Sequence, residues 1–126
     1  MNKLNFKVKS SGSTTKNKEL NEEQQSIFDE IIGNVKQNFF ITGSAGTGKS
    51  FLLKSLVKYY KEYYTTQNMD YKKHIGVTAM TGLAAINIGG KTIHSWSGLG
   101  MYGDRPLNPY SMATWRNCRT LIVDEI

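Results

Sequence analysis

The chain has 126 residues, of which 39% are hydrophobic and 21% are charged, and its formal net charge is +6. This length allows one small globular domain, and no segment approaches the eighteen or more apolar residues of a membrane span. The lone Cys118 cannot form an internal disulfide and fits a reducing compartment. His74 and His94 have no metal-ligand spacing with it, which argues against a metal site built from protein ligands.

The first segment, residues 1–19, is predicted to be a disordered basic tail, and residues 20–126 to form the folded domain. Residues 1–18 carry five lysines and no acid, and they have little to bury. Such a tail can contact nucleic acid or can simply be a solvated end. The absence of an apolar run disfavours a secretory signal. We expect the protein to lie in the nucleus or cytoplasm. A mitochondrial location stays open, because the tail lacks acids as transit peptides do, although it also lacks their arginines.

A helix is predicted next, over residues 20–33. Asn21 is a favourable N-cap and Gln24 stands three residues later, as in a capping box. The apolar face consists of Ile27, Phe28, Ile31 and Ile32, and Gly33 is a suitable stop. On the residues alone, Gln24 is interpreted as a capping residue.

A phosphate-binding loop follows the predicted strand Asn38–Thr42. Its sequence fits G-x-x-x-x-G-K-[ST] and is followed by a predicted helix from Lys49 to about Tyr64, the context that supports a P-loop. Glycines let backbone N–H groups point at a triphosphate, and the helix N-terminus adds positive charge. Lys49 can reach the β- and γ-phosphates of ATP, and the Ser50 hydroxyl can bind Mg²⁺. The alternative is a flexible glycine turn. The loop residues are Gly43, Ser44, Ala45, Gly46, Thr47, Gly48, Lys49 and Ser50.

The helix after the loop is predicted to bury Leu53, Leu56, Val57 and Tyr60. Its lysines are interpreted as a solvated face, and its tyrosine pairs as packing rather than a base-stacking platform. Residues 65–73 are predicted to be a loop, 74–78 a strand, 80–88 a short helix, 91–109 a turn-rich stretch and 110–117 a short helix.

The last predicted strand, residues 119–125, has the apolar run Leu121-Ile122-Val123, which suits a strand buried on both faces of a parallel sheet. Acids follow at its carboxyl end, in a Walker B pattern. Ligands of open α/β sheets lie at the carboxyl ends of the strands. Asp124 is therefore predicted to face Mg²⁺, and Glu125 to polarise the attacking water. Without the upstream loop, a surface strand end would be the simpler interpretation.

Five blocks of the sequence occur in this order: Leu20–Gln24, Gly43–Ser50, Val77–Ala85, Gly89–Gly98 and Leu121–Ile126. Together they resemble the PIF (petite integration frequency) helicases, a 5′-to-3′ branch of superfamily-one DNA helicases related to RecD. The T-G-L-A-A block and the G-G-x-T-I-H-S block are more specific for that family than the P-loop. The resemblance spans about residue 20 to the end.

The resemblance implies an α/β P-loop NTPase with a RecA-like parallel sheet flanked by helices, which couples ATP hydrolysis to 5′-to-3′ translocation and unwinding of DNA. It implies that Gln24 reads adenine, that Lys49, Asp124 and Glu125 are catalytic, and that Ser50 and Asp124 hold Mg²⁺. The implied partners are single-stranded DNA and duplex junctions, with no membrane; repair, recombination and telomere maintenance are family associations. The implied DNA-contacting residues are Thr78, Thr81, Thr92, His94 and Trp96, although Trp96 could equally be a core aromatic.

The family carries a second RecA-like domain that supplies arginines to the phosphoryl-transfer site. The 126 residues end at the Walker B acids, so we expect a leading fragment that hydrolyses ATP negligibly by itself. The alternatives are a non-motor module that only binds nucleotide or DNA, and another kind of P-loop ATPase.

Overall fold

The computed structural model describes residues 19–42, 48–100 and 106–124, together with the backbone of residues 2–5. The chain divides into two compact units, Met1–Leu56 and Val57–Ile126. Within the described residues, no helix is both long enough and apolar enough to cross a membrane.

The first unit contains two parallel strands and two helical segments. Strand β1 (Asn2–Asn5) pairs with β2 (Phe39–Thr42) in the register Asn2↔Phe39 to Asn5↔Thr42. The sequence predicted β2 within one residue, but it assigned residues 2–5 to a disordered tail. The structure places them in a strand instead, because a short polar segment can be ordered by the backbone hydrogen bonds of a neighbouring strand. Residues 6–18 of that tail lie outside the described residues.

Helix α1 (Glu22–Gly33) begins two residues after the start of the predicted range, directly after the predicted N-cap. Asn21 is its N-cap, and the capping box with Gln24 is present. Ile27 and Ile31 are buried, whereas Phe28 and Ile32 are half-buried. Gly33 is the last helical residue rather than the stop itself, since the C-cap is Asn34.

Helix α2 (Lys49–Thr66) is two residues longer than predicted and extends from the first unit into the second. Leu53, Leu56 and Val57 are buried as predicted, and Leu52 and Tyr64 are buried as well. Tyr60 is only half-buried. Burial raises the pKa of the Tyr60 hydroxyl, and the neighbouring Tyr59 and Tyr64 add to the effect.

The second unit is built on a three-stranded parallel sheet with short helices around it. The element bounds are α3 (Tyr71–His74), β3 (Ile75–Ala79), α4 (Gly82–Asn87), β4 (Lys91–Thr92), α5 (Ile93–Ser97), α6 (Pro109–Asn117) and β5 (Thr120–Asp124). The strand order is β4–β3–β5. The predicted loop before β3 contains the short helix α3, because Asp70 caps it through the Lys72 N–H. The predicted turn-rich stretch contains β4 and α5, with Thr92 as the N-cap of α5.

One side of β3 packs against α4. The buried residues Ala79, Ala84, Ala85 and Ile88 form one cluster, and Val77 packs against it. The small side chains let the helix lie close to the strand. Gly90 extends this close approach, because a Cβ there would collide with the Val77 carbonyl oxygen.

The other side of β3 packs against α5, and α5 in turn packs against α6 through two tryptophans. A Cβ on Gly76 would lie 2.8 Å from Trp96 Cε2, so the indole rests directly on the glycine backbone. Trp96 and Trp115 meet edge to face at a centroid distance of 4.8 Å, a favourable aromatic geometry. Trp115 Nε1 also donates to the Ser97 carbonyl oxygen at 3.0 Å.

Strand β5 differs from its prediction. The sequence suggested burial on both faces, but Leu121 and Val123 are 39% and 42% exposed. Ile122 is half-buried and Asp124 is buried, so the strand alternates. An apolar run predicts that a strand forms, but coverage of each face depends on elements elsewhere in the chain.

Candidate nucleotide and nucleic-acid site

The carboxyl end of the P-loop lies at the start of α2. Gly48 has φ 83°, a left-handed conformation that glycine adopts without steric cost. Its carbonyl accepts the first helical hydrogen bond, from the Leu52 N–H at 3.1 Å. Lys49 and Ser50 are the first two residues of the helix and are half-buried. The helix N-terminus therefore presents a lysine and a hydroxyl together with the positive end of the helix dipole. The remaining loop residues, Gly43, Ser44, Ala45, Gly46 and Thr47, lie outside the described residues.

Gln24 connects α1 to this loop. Its Oε1 accepts from the Asn21 N–H at 2.8 Å, and the Asn21 Oδ1 accepts from the Gln24 N–H at 2.8 Å. The capping interpretation is thus confirmed. In addition, Gln24 Nε2 donates to the Gly48 carbonyl oxygen at 3.1 Å, and the side chain is only 5% exposed. No local sequence pattern predicts this contact, because the two residues are 24 positions apart.

A shallow open depression of 480 Å³ lies beside α1 but does not include Gln24. Its helical lining residues repeat at positions 22, 25, 26 and 29, whereas the buried residues are at 24, 27 and 31. This depression is therefore on the outer side of α1 and does not match an adenine pocket formed around Gln24. The lining residues are Leu20, Asn21, Glu22, Gln25, Ser26 and Asp29.

The Walker B acid Asp124 is the last residue of β5 and is 3% exposed. It is in register with Ala79, the last residue of β3, and its carbonyl oxygen accepts from the Met80 N–H at 2.9 Å. Burying a carboxylate is costly unless it is paired or binds a metal. Such a buried acid at the carboxyl edge of a parallel sheet is in the position where ligands of α/β sheets bind. Glu125 lies outside the described residues.

Thr92 lies at the same carboxyl edge, on the other flank of β3. It is in register with Ala79, so Thr92 and Asp124 are two strand spacings apart, roughly 10 Å. The Thr92 Oγ1 accepts from the Ser95 N–H at 3.2 Å and caps α5. An accepting hydroxyl can still donate its own proton, and a phosphate oxygen is a suitable acceptor.

The remaining sequence-predicted DNA contacts separate into exposed and packed residues. Thr81 is exposed and caps α4, with its Oγ1 accepting from the Ala84 N–H at 3.2 Å. His94 is half-buried and is the second residue of α5. Trp96 packs between Gly76 and Trp115, as described above, which favours the core interpretation over base stacking.

Thr78 requires a correction. Its side chain is fully buried at 0% exposure, and its Oγ1 donates to the Ile122 carbonyl oxygen at 2.8 Å. The hydroxyl therefore ties β3 to β5 and is not accessible to a phosphate. The sequence could not distinguish it from Thr81, because both threonines lie in the same block.

The donor set fits nucleotide and Mg²⁺ in part. A serine hydroxyl and a carboxylate are oxygen ligands that Mg²⁺ accepts, and in phosphate sites this ion takes few protein ligands. The described residues contain no cluster of three or more His, Cys, Asp or Glu side chains that could hold a metal.

Parallel strands and a glycine-led helix N-terminus identify the chain as a P-loop protein with a partial RecA-like fold. Residues 19–126 match the family described as PIF1-like helicase, and the chain belongs to that family.

The similar proteins are much longer than this chain. The ATP-dependent DNA helicase PIF1 of Candida albicans is 40% identical over 115 residues, which is 85% of this chain and 12% of the relative. The ATP-dependent DNA helicase RRM3 of Saccharomyces cerevisiae is 38% identical over 82% of this chain and 14% of its own length. The crystal structure of the Candida albicans Pif1 helicase superposes with a TM-score of 0.71 at 40% identity, covering 86% of this chain and 24% of that one. The chain thus spans about an eighth of the curated relatives' length.

Proposed function

We propose that these residues form the nucleotide-binding part of an ATP-dependent DNA helicase that moves 5′ to 3′ on single-stranded DNA and unwinds duplex junctions. The observation that carries the proposal is the start of α2. There, Gly48, Lys49 and Ser50 combine a left-handed glycine, a lysine and a hydroxyl at the N-terminus of an 18-residue helix. The family match and the names of the relatives support DNA as the substrate.

In this proposal each residue acts through its own donors or acceptors. Lys49 holds the β- and γ-phosphates, and backbone N–H groups of the loop surround them. Gln24 fixes the Gly48 end of the loop and contacts the adenine edge through its amide. Bound Mg²⁺ neutralises phosphate charge, and Ser50 and Asp124 are its proposed protein ligands. Glu125 orients and polarises the attacking water as a general base.

The proposed DNA contacts are Thr81, Thr92 and His94, which lie in or next to the loops at the carboxyl edge of the sheet. Hydroxyl and imidazole groups can bind phosphates without reading sequence, as a translocating motor requires. Thr78 and Trp96 are omitted because both are packed against β3 or β5.

The test is the substitution Lys49→Ala in a protein that spans the full helicase length of the matched relatives. Removing the ammonium group that holds the transferred phosphate should lower DNA-stimulated ATP turnover about a hundredfold or more. The measurement is phosphate release with and without single-stranded DNA. The matched control is Lys54→Ala, an exposed lysine on the same helix, which should keep wild-type turnover. Wild-type turnover in Lys49→Ala would refute the assignment.

A further inference from the structure

The amino edge of the β4–β3–β5 sheet carries a cluster of exposed cations, opposite to the edge that carries Asp124 and Thr92. Lys72 and Lys73 lie on α3, directly before β3. Arg116 lies in the last turn of α6, and Arg119 directly precedes β5. All four are exposed. We call Lys72, Lys73, Arg116 and Arg119 the amino-edge patch.

Hydrogen bonds hold the segments of the patch together. The Arg119 N–H donates to the His74 carbonyl oxygen at 2.8 Å, which extends the pairing of β3 with β5. His74 Nδ1 and the Asn117 carbonyl oxygen are 2.8 Å apart, so the end of α6 is fixed against the end of α3. The four cations are therefore carried by one ordered surface rather than by independent loops.

The flanks of the patch carry one further cation and one acid. Lys61 Nζ lies 5.5 Å from the centroid of the Tyr71 ring, which brings a fifth cation from α2 to the start of α3. Asp70 is the acid nearest in sequence to Lys72 and Lys73, and its Oδ1 accepts from the Lys72 N–H as the cap of α3.

The composition of the patch favours a polyanion over a folded protein partner. Protein interfaces have an apolar, often aromatic centre. Among the described residues, segments 70–74 and 116–119 contain none of the exposed large apolar side chains. The nearest in sequence are Trp115 and Leu121, which are 38% and 39% exposed; Trp115 packs on Trp96, and Leu121 lies beside Gly76. Tyr71, the one aromatic in these segments besides His74, is half-buried, and Lys61 Nζ lies over one face of its ring.

We infer that the amino-edge patch binds the phosphodiester backbone of nucleic acid without reading its sequence, as a second contact separate from the carboxyl-edge track proposed above. When exposed Lys and Arg side chains neutralise phosphates, the nucleic acid releases the counterions condensed on it. This release makes binding steeply salt-dependent. A contact of this kind would keep a strand or duplex bound to the proposed helicase while the carboxyl edge releases and rebinds DNA.

The test uses the full 126-residue chain and fluorescence anisotropy with a short labelled DNA duplex and a single strand of matching length. The patch variant is Lys72→Gln/Lys73→Gln/Arg119→Gln, and the control variant is Lys7→Gln/Lys9→Gln/Lys16→Gln in the N-terminal segment. Each removes three positive charges and lowers the formal net charge from +6 to +3. A charge-retaining variant, Lys72→Arg/Lys73→Arg/Arg119→Lys, tests whether charge alone is required. Circular dichroism confirms that all the variants fold.

The patch variant should lose at least tenfold in affinity at about 50 mM salt, and the slope of log affinity against log salt should fall by about 2 to 3. The charge-retaining variant should keep both values, and the N-terminal control should keep most of its affinity. A greater loss for the duplex than for the strand would assign the surface to duplex DNA, and the reverse to single strands.

Three outcomes would overturn the inference. Equal losses in the patch variant and the N-terminal control would show a general charge effect. Unchanged affinity in the patch variant would show that the patch does not bind nucleic acid. If an oligoglutamate peptide bound as tightly as DNA, and if the patch variant lost that binding, the surface would be assigned to an acidic protein. The anisotropy measurement reports DNA binding and not ATP turnover, which the Lys49→Ala test measures. Failure of the proposed patch is therefore distinguishable from failure of the proposed ATPase.

Discussion

At the scale of single residues, the glycines of the block after β3 show why particular positions tolerate no side chain. Gly90 passes so close to β3 that a Cβ would meet the Val77 carbonyl oxygen. Gly82, by contrast, is the first residue of α4 and has no atom within 4 Å of the position that a Cβ would take. The two glycines look alike in the sequence, but only one is required by packing.

We therefore expect Gly90→Ala and Gly82→Ala to change stability in opposite directions. Gly90→Ala should lower the free energy of unfolding by about 1–3 kcal/mol, because the backbone of β3 would have to move. Gly82→Ala should raise it by up to about 1 kcal/mol, because alanine is the better helix residue. Urea denaturation of both variants measures this. A stability loss for Gly82→Ala equal to that of Gly90→Ala would contradict the close approach described here.

At the scale of elements, helix α2 is attached to the second unit by its last turns. Tyr64 is 6% exposed, and its hydroxyl lies 2.8 Å from the Thr120 Oγ1 at the start of β5. Tyr60 and Tyr63 flank it at centroid distances of 6.5 Å and 5.3 Å. The sequence interpretation of this tyrosine cluster as packing agrees with the burial of Tyr64. It did not identify Tyr64 as the buried member, because which tyrosine is buried depends on where β5 lies.

Tyr64→Phe should lower the free energy of unfolding by about 1 kcal/mol, since it leaves the partly buried Thr120 hydroxyl without this partner while keeping the ring. The matched control is Tyr63→Phe, where the side chain is 44% exposed and water replaces any lost bond. Thermal and urea unfolding of the two variants provide the comparison. Equal effects in both would mean that the Tyr64–Thr120 hydrogen bond does not stabilise the fold.

At the scale of the whole molecule, the surface combines a basic edge with exposed apolar side chains. Leu83 and Ile86 lie three residues apart on α4 and are 82% and 77% exposed, and Met80, three residues before Leu83, is 45% exposed. At this spacing Leu83 and Ile86 share one face of α4, and Met80 precedes the N-cap Thr81. We call these three side chains the apolar stripe. The net charge of +6 opposes self-association, whereas the apolar stripe favours it.

The variant Leu83→Gln/Ile86→Gln should raise the protein concentration at which light scattering begins, most clearly at high salt where charge repulsion is screened. Its free energy of unfolding should change by no more than about 0.5 kcal/mol, since both side chains are exposed. Val35→Gln is the control, because Val35 is 80% exposed but stands alone among polar neighbours. A scattering threshold that moves equally in both would show that the stripe has no special role.

The sequence by itself determined the features that depend on local chemistry. The prediction placed three features at or within a residue of their positions: helix caps such as Asn21, the start of α2 directly after Gly48, and the acid at the end of β5. Capping and strand-end patterns involve only neighbouring residues. The tertiary structure alone decided which of these residues are buried. Thr78 was assigned to DNA but ties two strands together, and β5 was expected to be covered on both faces but is exposed on one. The bond from Gln24 to Gly48 and the amino-edge patch also arise between segments distant in the chain. Burial and long-range contacts depend on how elements pack, and a local pattern contains no information about its eventual neighbours.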